Sequence, residues 1–120
     1  MSAPSLTPEA EALLTGIDGP DPLPELLRRC EAVTLALAPR LATEAWRATT
    51  YEVDGAPESG FAATVTRVGR WDSVGEVRGP TREAAAANLL ADLRRRLAER
   101  VAGLQAVLDE TGPEEKDSPR

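Results

Sequence analysis

Residues 61–97 read FAATVTRVGRWDSVGEVRGPTREAAAANLLADLRRRL, and the fold turns on a change of period inside them. Up to Arg78 apolar and polar residues alternate, so that Phe61, Ala63 and Val65 share one side of an extended chain and Thr64, Thr66 and Val68 the other. Beyond Thr81 the apolar residues return every third or fourth position, which is the repeat of a helix. Gly79-Pro80-Thr81 is the switch: glycine and proline stop the strand, and the threonine hydroxyl caps the helix that follows.

Working backwards, the alternation begins at Trp46 and divides into three predicted strands, Trp46 to Val53, Phe61 to Val68 and Trp71 to Arg78. Asp54-Gly55 with Pro57 to Gly60 supplies one turn and Gly69-Arg70 a tighter one, so an antiparallel meander with one packed and one largely wet face is expected. Before it, Leu23, Leu26, Leu27, Cys30, Val33, Leu37 and Leu41 recur at helical spacing, with Pro39 expected to end or kink the helix. Thr7-Pro8-Glu9 opens a shorter helix, and the proline-rich and glycine-rich run from Gly16 to Pro24 connects the two. The expected class is α+β with element order α-α-β-β-β-α. It divides into an N-terminal arm with a short helix and linker (1–22), one domain (23–112) and a disordered acidic tail (113–120) that holds nothing to bury.

The last helix carries a continuous apolar stripe through Ala85, Leu89, Leu90, Leu93, Leu97, Val101, Leu104 and Leu108, with Gly112-Pro113 expected to close it. Such a helix runs about 28 residues, or roughly 42 Å, whereas strands of about eight residues reach only about 26 Å. It must overhang the sheet. Its far side chains therefore need another surface, either the helix from Leu23 to Leu37 or a second copy of the chain.

Composition removes more functions than any motif adds. The 120 residues hold no His and one Cys, which leaves no zinc site of the usual kind, no internal disulfide and no histidine base. No apolar run approaches the roughly 20 residues that span a bilayer and no secretory leader stands at the start, so a cytoplasmic protein without a membrane partner is expected. The net charge of −6 is uneven: residues 81–108 carry about +2 and the tail from Asp109 about −3. Arg67, Arg70, Arg78, Arg82, Arg94, Arg95 and Arg96 are the candidate nucleic-acid contacts, and that reading is supported only if Arg47, Arg67, Arg70, Arg78 and Arg82 converge on one face apart from the acids.

Catalytic chemistry finds little purchase. Cys30 lies on an apolar stripe, where a thiol packs as a small hydrophobe. Asp54, Glu58, Asp72 and Glu76 fall at turns and strand ends, where capping and solubility account for them as well as acid–base or Mg²⁺ chemistry does. Val74 to Gly79 has neither the spacing of a dinucleotide loop nor a phosphate-loop lysine. No catalytic residue, cofactor or metal is expected.

Two resemblances lie within residues 51–97. Tyr51, Gly60-Phe61-Ala62-Ala63 and the junction from Gly79 to Leu89, with its capping Thr81, alanines and Asn88-Leu89, resemble HicB-type antitoxins, which implies a small regulator acting on a protein partner. Tyr51-Glu52-Val53, Phe61, Gly75-Glu76 and Thr81 to Ala85 resemble the double-stranded-RNA-binding domain. There the helix-start lysine pair is Arg82 and Glu83, and the loop histidine is absent, which implies the shape without the phosphate grip. The order of elements is also similar to that of YbaB-type nucleoid proteins. The expected function is thus a non-enzymatic regulator or adaptor, antitoxin-like or inhibitor-like, that binds a protein or itself as a dimer through Trp46, Trp71, Leu97, Val101, Leu104 and Leu108. Nucleic-acid binding is the second reading.

Overall fold

Three short sequence signals set the frame. Thr7 caps the first helix, its Oγ1 accepting from the Ala10 N–H at 3.2 Å, and Pro8 takes the first helical position, where its missing N–H costs nothing. Asp21 accepts from the Leu23 N–H at 3.2 Å at the start of the second. Thr81 caps the last, its Oγ1 accepting from the Ala84 N–H at 3.0 Å. A computed structural model describes residues 5–37, 46–67 and 73–117.

The elements are α1 (Pro8–Thr15), α2 (Leu23–Leu37), β1 (Trp46–Glu52), β2 (Phe61–Arg67), β3 (Ser73–Gly79) and α3 (Arg82–Asp117). The strands form one antiparallel sheet in the order β1-β2-β3, which makes the chain an α+β protein of the order α-α-β-β-β-α. Ala48 pairs with Val65 and Thr50 with Ala63, which in turn pairs with Val77. The β1–β2 connection is two single 3-10 turns, Val53–Gly55 and Pro57–Ser59; Asp54 and Gly55 there take φ of 57° and 69°, a left-handed conformation that asparagine-like and glycine residues tolerate best. Pro39, Leu41, Val68, Gly69, Arg70, Trp71 and Asp72 lie outside the described residues.

The alternation read in the sequence is the alternation of the sheet. Trp46, Ala48, Ala63 and Val65 are buried toward the helices, while Arg47, Thr49, Tyr51, Glu76 and Arg78 stand on the open side. Glu31 of α2 covers the outer edge of β1 by accepting from the Ala48 N–H at 2.8 Å, so an edge amide that would invite another strand has a partner.

The first half of α3 is the axle of the core. Every residue from Ala84 to Leu90 is buried, as is Leu93. Burial over two successive turns means that the helix is enclosed on all sides, by the sheet on one and by α1 and α2 on the others. Alanine makes this possible, because a methyl group lets neighbouring backbones approach closely. At Gly79 the approach is closer still: a Cβ there would lie 2.5 Å from the Ala85 nitrogen, so the end of β3 can meet α3 only as glycine.

Two expected boundaries shift. The segment 1–22 is more than an arm: Ala10 is fully buried, and Thr7 is bonded to Asn88 of α3, because one apolar face of α1 closes the side of α3 that the sheet and α2 leave open. The last helix runs through Gly112-Pro113 to Asp117, so the tail begins later than expected. A proline removes one hydrogen bond and crowds the carbonyl four residues before it, but its fixed φ is a helical one and residues after it can remain helical.

Candidate functional site

Leu97 marks the point where α3 leaves the protein. Four residues earlier Leu93 is fully buried, Leu97 is half-buried, and beyond it Val101, Leu104, Val107 and Leu108 are 55–59% exposed. At 36 residues α3 is roughly 54 Å long, whereas seven-residue strands span only about 23 Å. The molecule is correspondingly elongated, 66 Å by 33 Å by 33 Å.

This corrects the expectation that α2 covers the stripe: Arg29, Ala32 and Val33 of α2 reach the groove beside Leu97 and Val101, but Leu104 and Leu108 stay more than half exposed. Leu97 is half-buried, but Val101, Leu104 and Leu108 remain 55–59% exposed. Spacings of four, three and four residues from Leu97 to Leu108 put these side chains on one line, with Ala98, Ala102 and Gly103 beside them.

Where the stripe meets the body lies a groove of about 890 Å³ between α1, α2 and α3. Leu13, Ala32, Val33, Leu97 and Val101 give it apolar walls, and Arg29, Arg94 and Gln105 stand at its margins. Arg29 is held by Glu25 at 2.7 Å, and Arg28 bonds the same carboxylate, which the two guanidinium groups hold well down at a pKa of about 2. Arg94 and Arg100 make no ion pair among the described residues, and neither do Asp109 and Glu110; Asp109 accepts only from Gln105, at 3.0 Å.

The other expected site residues disperse. Trp46 is 9% exposed and belongs to the core, because its strand position faces α2 and α3; it is not a docking platform. Trp71 and Arg70 lie outside the described residues. Arg82 donates to the Thr50 carbonyl and Oγ1, both at 3.2 Å, and its guanidinium sits 5.0 Å from the centre of the Phe61 ring, so it fastens α3 to the sheet. Arg78 stands on the open face of the sheet, and Arg67 pairs in register with buried Trp46. Arg95 is paired with Asp92 and with Glu99 at 3.3 Å, and Arg96 with Asp92 at 2.9 Å, lying over Gly75. Among the described residues Arg47 and Arg78 stand on the open sheet face, Arg67 on the side of Trp46, Arg82 at the start of α3 and Arg94, Arg95 and Arg96 along its middle, so these arginines do not share one face.

The acids fare similarly. Asp54 and Glu58 are exposed on the β1–β2 turn, and Glu76 in mid-β3 accepts from the Tyr51 hydroxyl, which raises the tyrosine pKa. No cluster of three or more His, Cys, Asp or Glu suited to a metal occurs among the described residues. Cys30 is buried under α3, its Sγ 3.7 Å from the Ala86 carbonyl, and burial pushes its thiol up to about 12, out of the range of a nucleophile.

One structural hub escaped the sequence reading. Asn88 accepts from the Thr7 N–H at 3.0 Å and donates to the Ser5 and Arg78 carbonyls at 2.8 and 3.0 Å, tying the N-terminal segment, α3 and β3 together. Its only signal in the sequence is a lone amide inside an Ala-Leu run. Among the described residues no helix is long and apolar enough to cross a membrane. Compared with known proteins, the chain matches no family model, no curated protein and no solved structure.

Proposed function

We propose that this protein is a non-enzymatic, cytoplasmic binding module, a regulator or adaptor that docks a helix of a protein partner on the overhanging half of α3 and in the groove at its root. The observation that carries this reading is the line Leu97, Val101, Leu104 and Leu108, three of them more than half exposed on a helix that leaves the core. A contiguous apolar stripe of this length is uncommon on the surface of a soluble monomer. An amphipathic helix laid along it meets apolar side chains at helical spacing. The scatter of the arginines is what ranks protein ahead of nucleic acid as the partner.

The test is a photo-crosslinking amino acid placed at position 104, on the stripe, or at position 106, on the opposite side of the helix, in living cells. Protein adducts from 104 and none from 106 are expected. An absence of adducts from 104 removes the reading.

A further inference from the structure

The charges beside the stripe say what covers it. Four bases, Arg94, Arg95, Arg96 and Arg100, precede its middle with the two acids Asp92 and Glu99 among them, and the acids Asp109, Glu110, Glu114, Glu115 and Asp117 follow with the one base Lys116. The helix is thus basic at the root of the overhang and acidic toward its end. Among the described residues Arg94 and Arg100 have no acid to pair with, and Asp109 and Glu110 have no base.

We propose that the occupant is a second copy of the chain, laid antiparallel along α3 with its acidic end over the other's groove; the inference rests on the docking reading above. Setting Leu97 opposite Leu108 places Val101 opposite Leu104, and the two-fold axis brings the same contacts in reverse order. All four apolar side chains then meet apolar ones. Spacings of four, three and four are those of a coiled-coil seam, in which an antiparallel pair matches each seam position with the other kind. The small residues Ala102 and Gly103 lie at the centre, and no heavy atom stands within 4 Å of where a Cβ on Gly103 would be.

The same register sets Arg94 opposite Thr111, between acids, and Arg100 opposite Gln105, one turn from Asp109. The line of the stripe continues to position 111, next in sequence to Asp109 and Glu110, which brings acidic sequence toward the groove margin where Arg94 stands. A parallel pair would instead set Arg94 against Arg94 and the two acidic ends side by side. Charge thus selects the antiparallel arrangement and opposes the other. The groove adds surface that a bare pair of helices lacks: Leu13, Val33, Leu97 and Val101 meet Leu104 and Leu108 of the second copy.

Sedimentation equilibrium on the purified chain tests this, with Leu104→Asp and, as a second variant, Leu108→Asp. The wild type is expected at twice the 12.8 kDa chain mass in the tens of micromolar. Each variant is expected at the monomer mass with its fold intact by circular dichroism, its self-association weakened at least about 100-fold by the buried charge. Orientation is read by mixing Leu97→Cys with Leu108→Cys under oxidation, which is expected to give a mixed disulfide that neither variant forms with itself. The native Cys30 stays silent because its thiol is buried. A wild type monomeric to about 100 µM, a dimer that survives both aspartates, or a Leu108→Cys chain that links to itself each overturns the proposal. If the chain is monomeric yet position 104 crosslinks a different protein in cells, only the second copy is removed and the docking reading stands; if nothing crosslinks, both fall.

Discussion

The two halves of α3 share one line of apolar residues at helical spacing and have opposite surroundings. From Ala84 to Leu90 the helix is enclosed on every side, and its alanines are as buried as its leucines. From Ala98 to Thr111 every residue is exposed, leucines included. The outer half, with Val101, Gly103, Val107, Thr111, Gly112 and Pro113, has the weaker helix propensity, yet both halves are helical, so helix formation and burial are separate outcomes here: the first half is held by packing and the second by extension from the first. Apolar pattern shows which side of a helix wants cover, and only the arrangement of the other elements shows whether it has it.

The largest expected contrast is between two leucines on that one line. Leu93→Ala empties a fully buried site and is expected to cost about 4 kcal/mol. Leu104→Ala is expected to cost under about 0.5 kcal/mol in the monomer. Urea unfolding at concentrations where the chain is monomeric measures both, and similar values would break the division.

Gly79→Ala comes next, at about 3 kcal/mol, since the added methyl meets α3 backbone at 2.5 Å and backbone gives way poorly. Gly103→Ala, with open space around it, is the control and is expected to stabilise the monomer slightly, because alanine is the better helix former. A loss at Gly103 would show that the outer half is not free.

Asn88→Ala follows at about 2 kcal/mol, because it strands the Thr7 amide and two carbonyls at once. Hydrogen exchange should show α1 opening before the sheet in this variant. Exchange that rises equally everywhere would mean that α1 is not the element Asn88 secures.

The smallest effects concern chemistry. Burial, with the nearby Glu31 charge, raises the Cys30 thiol pKa from 9.0 to about 12, so the fold favours the protonated form. The stability this contributes is present below pH 9 and is lost as pH rises from there toward about 12. A thiol reagent at pH 8 should therefore react at the rate of unfolding, and fast reaction in the native state would contradict the enclosure of α3 at Ala86. Gel shifts with duplex DNA, duplex RNA and single strands are expected to be negative near 150 mM salt, about the physiological ionic strength. Micromolar binding with a steep salt slope, removed by replacing Arg94 to Arg96, would show that the exposed flank of α3 serves phosphate instead.

The sequence by itself determined the element order, the two faces of β2, the caps at Thr7 and Thr81 and the overhang of α3. Those follow from local period and from length, which the chain writes in consecutive residues. Tertiary structure decided the rest. Trp46 became core and not a platform because a strand residue's surroundings come from whatever packs on that face, here helices far along the chain. Arg82 became a fastening and Asn88 a hub because their partners, Thr50, Ser5 and Arg78, are brought to them only by folding. The fate of the stripe was equally unreadable: how far the other elements follow α3 outward depends on crossing geometry, which no periodicity records, and it leaves Val101, Leu104 and Leu108 more than half exposed.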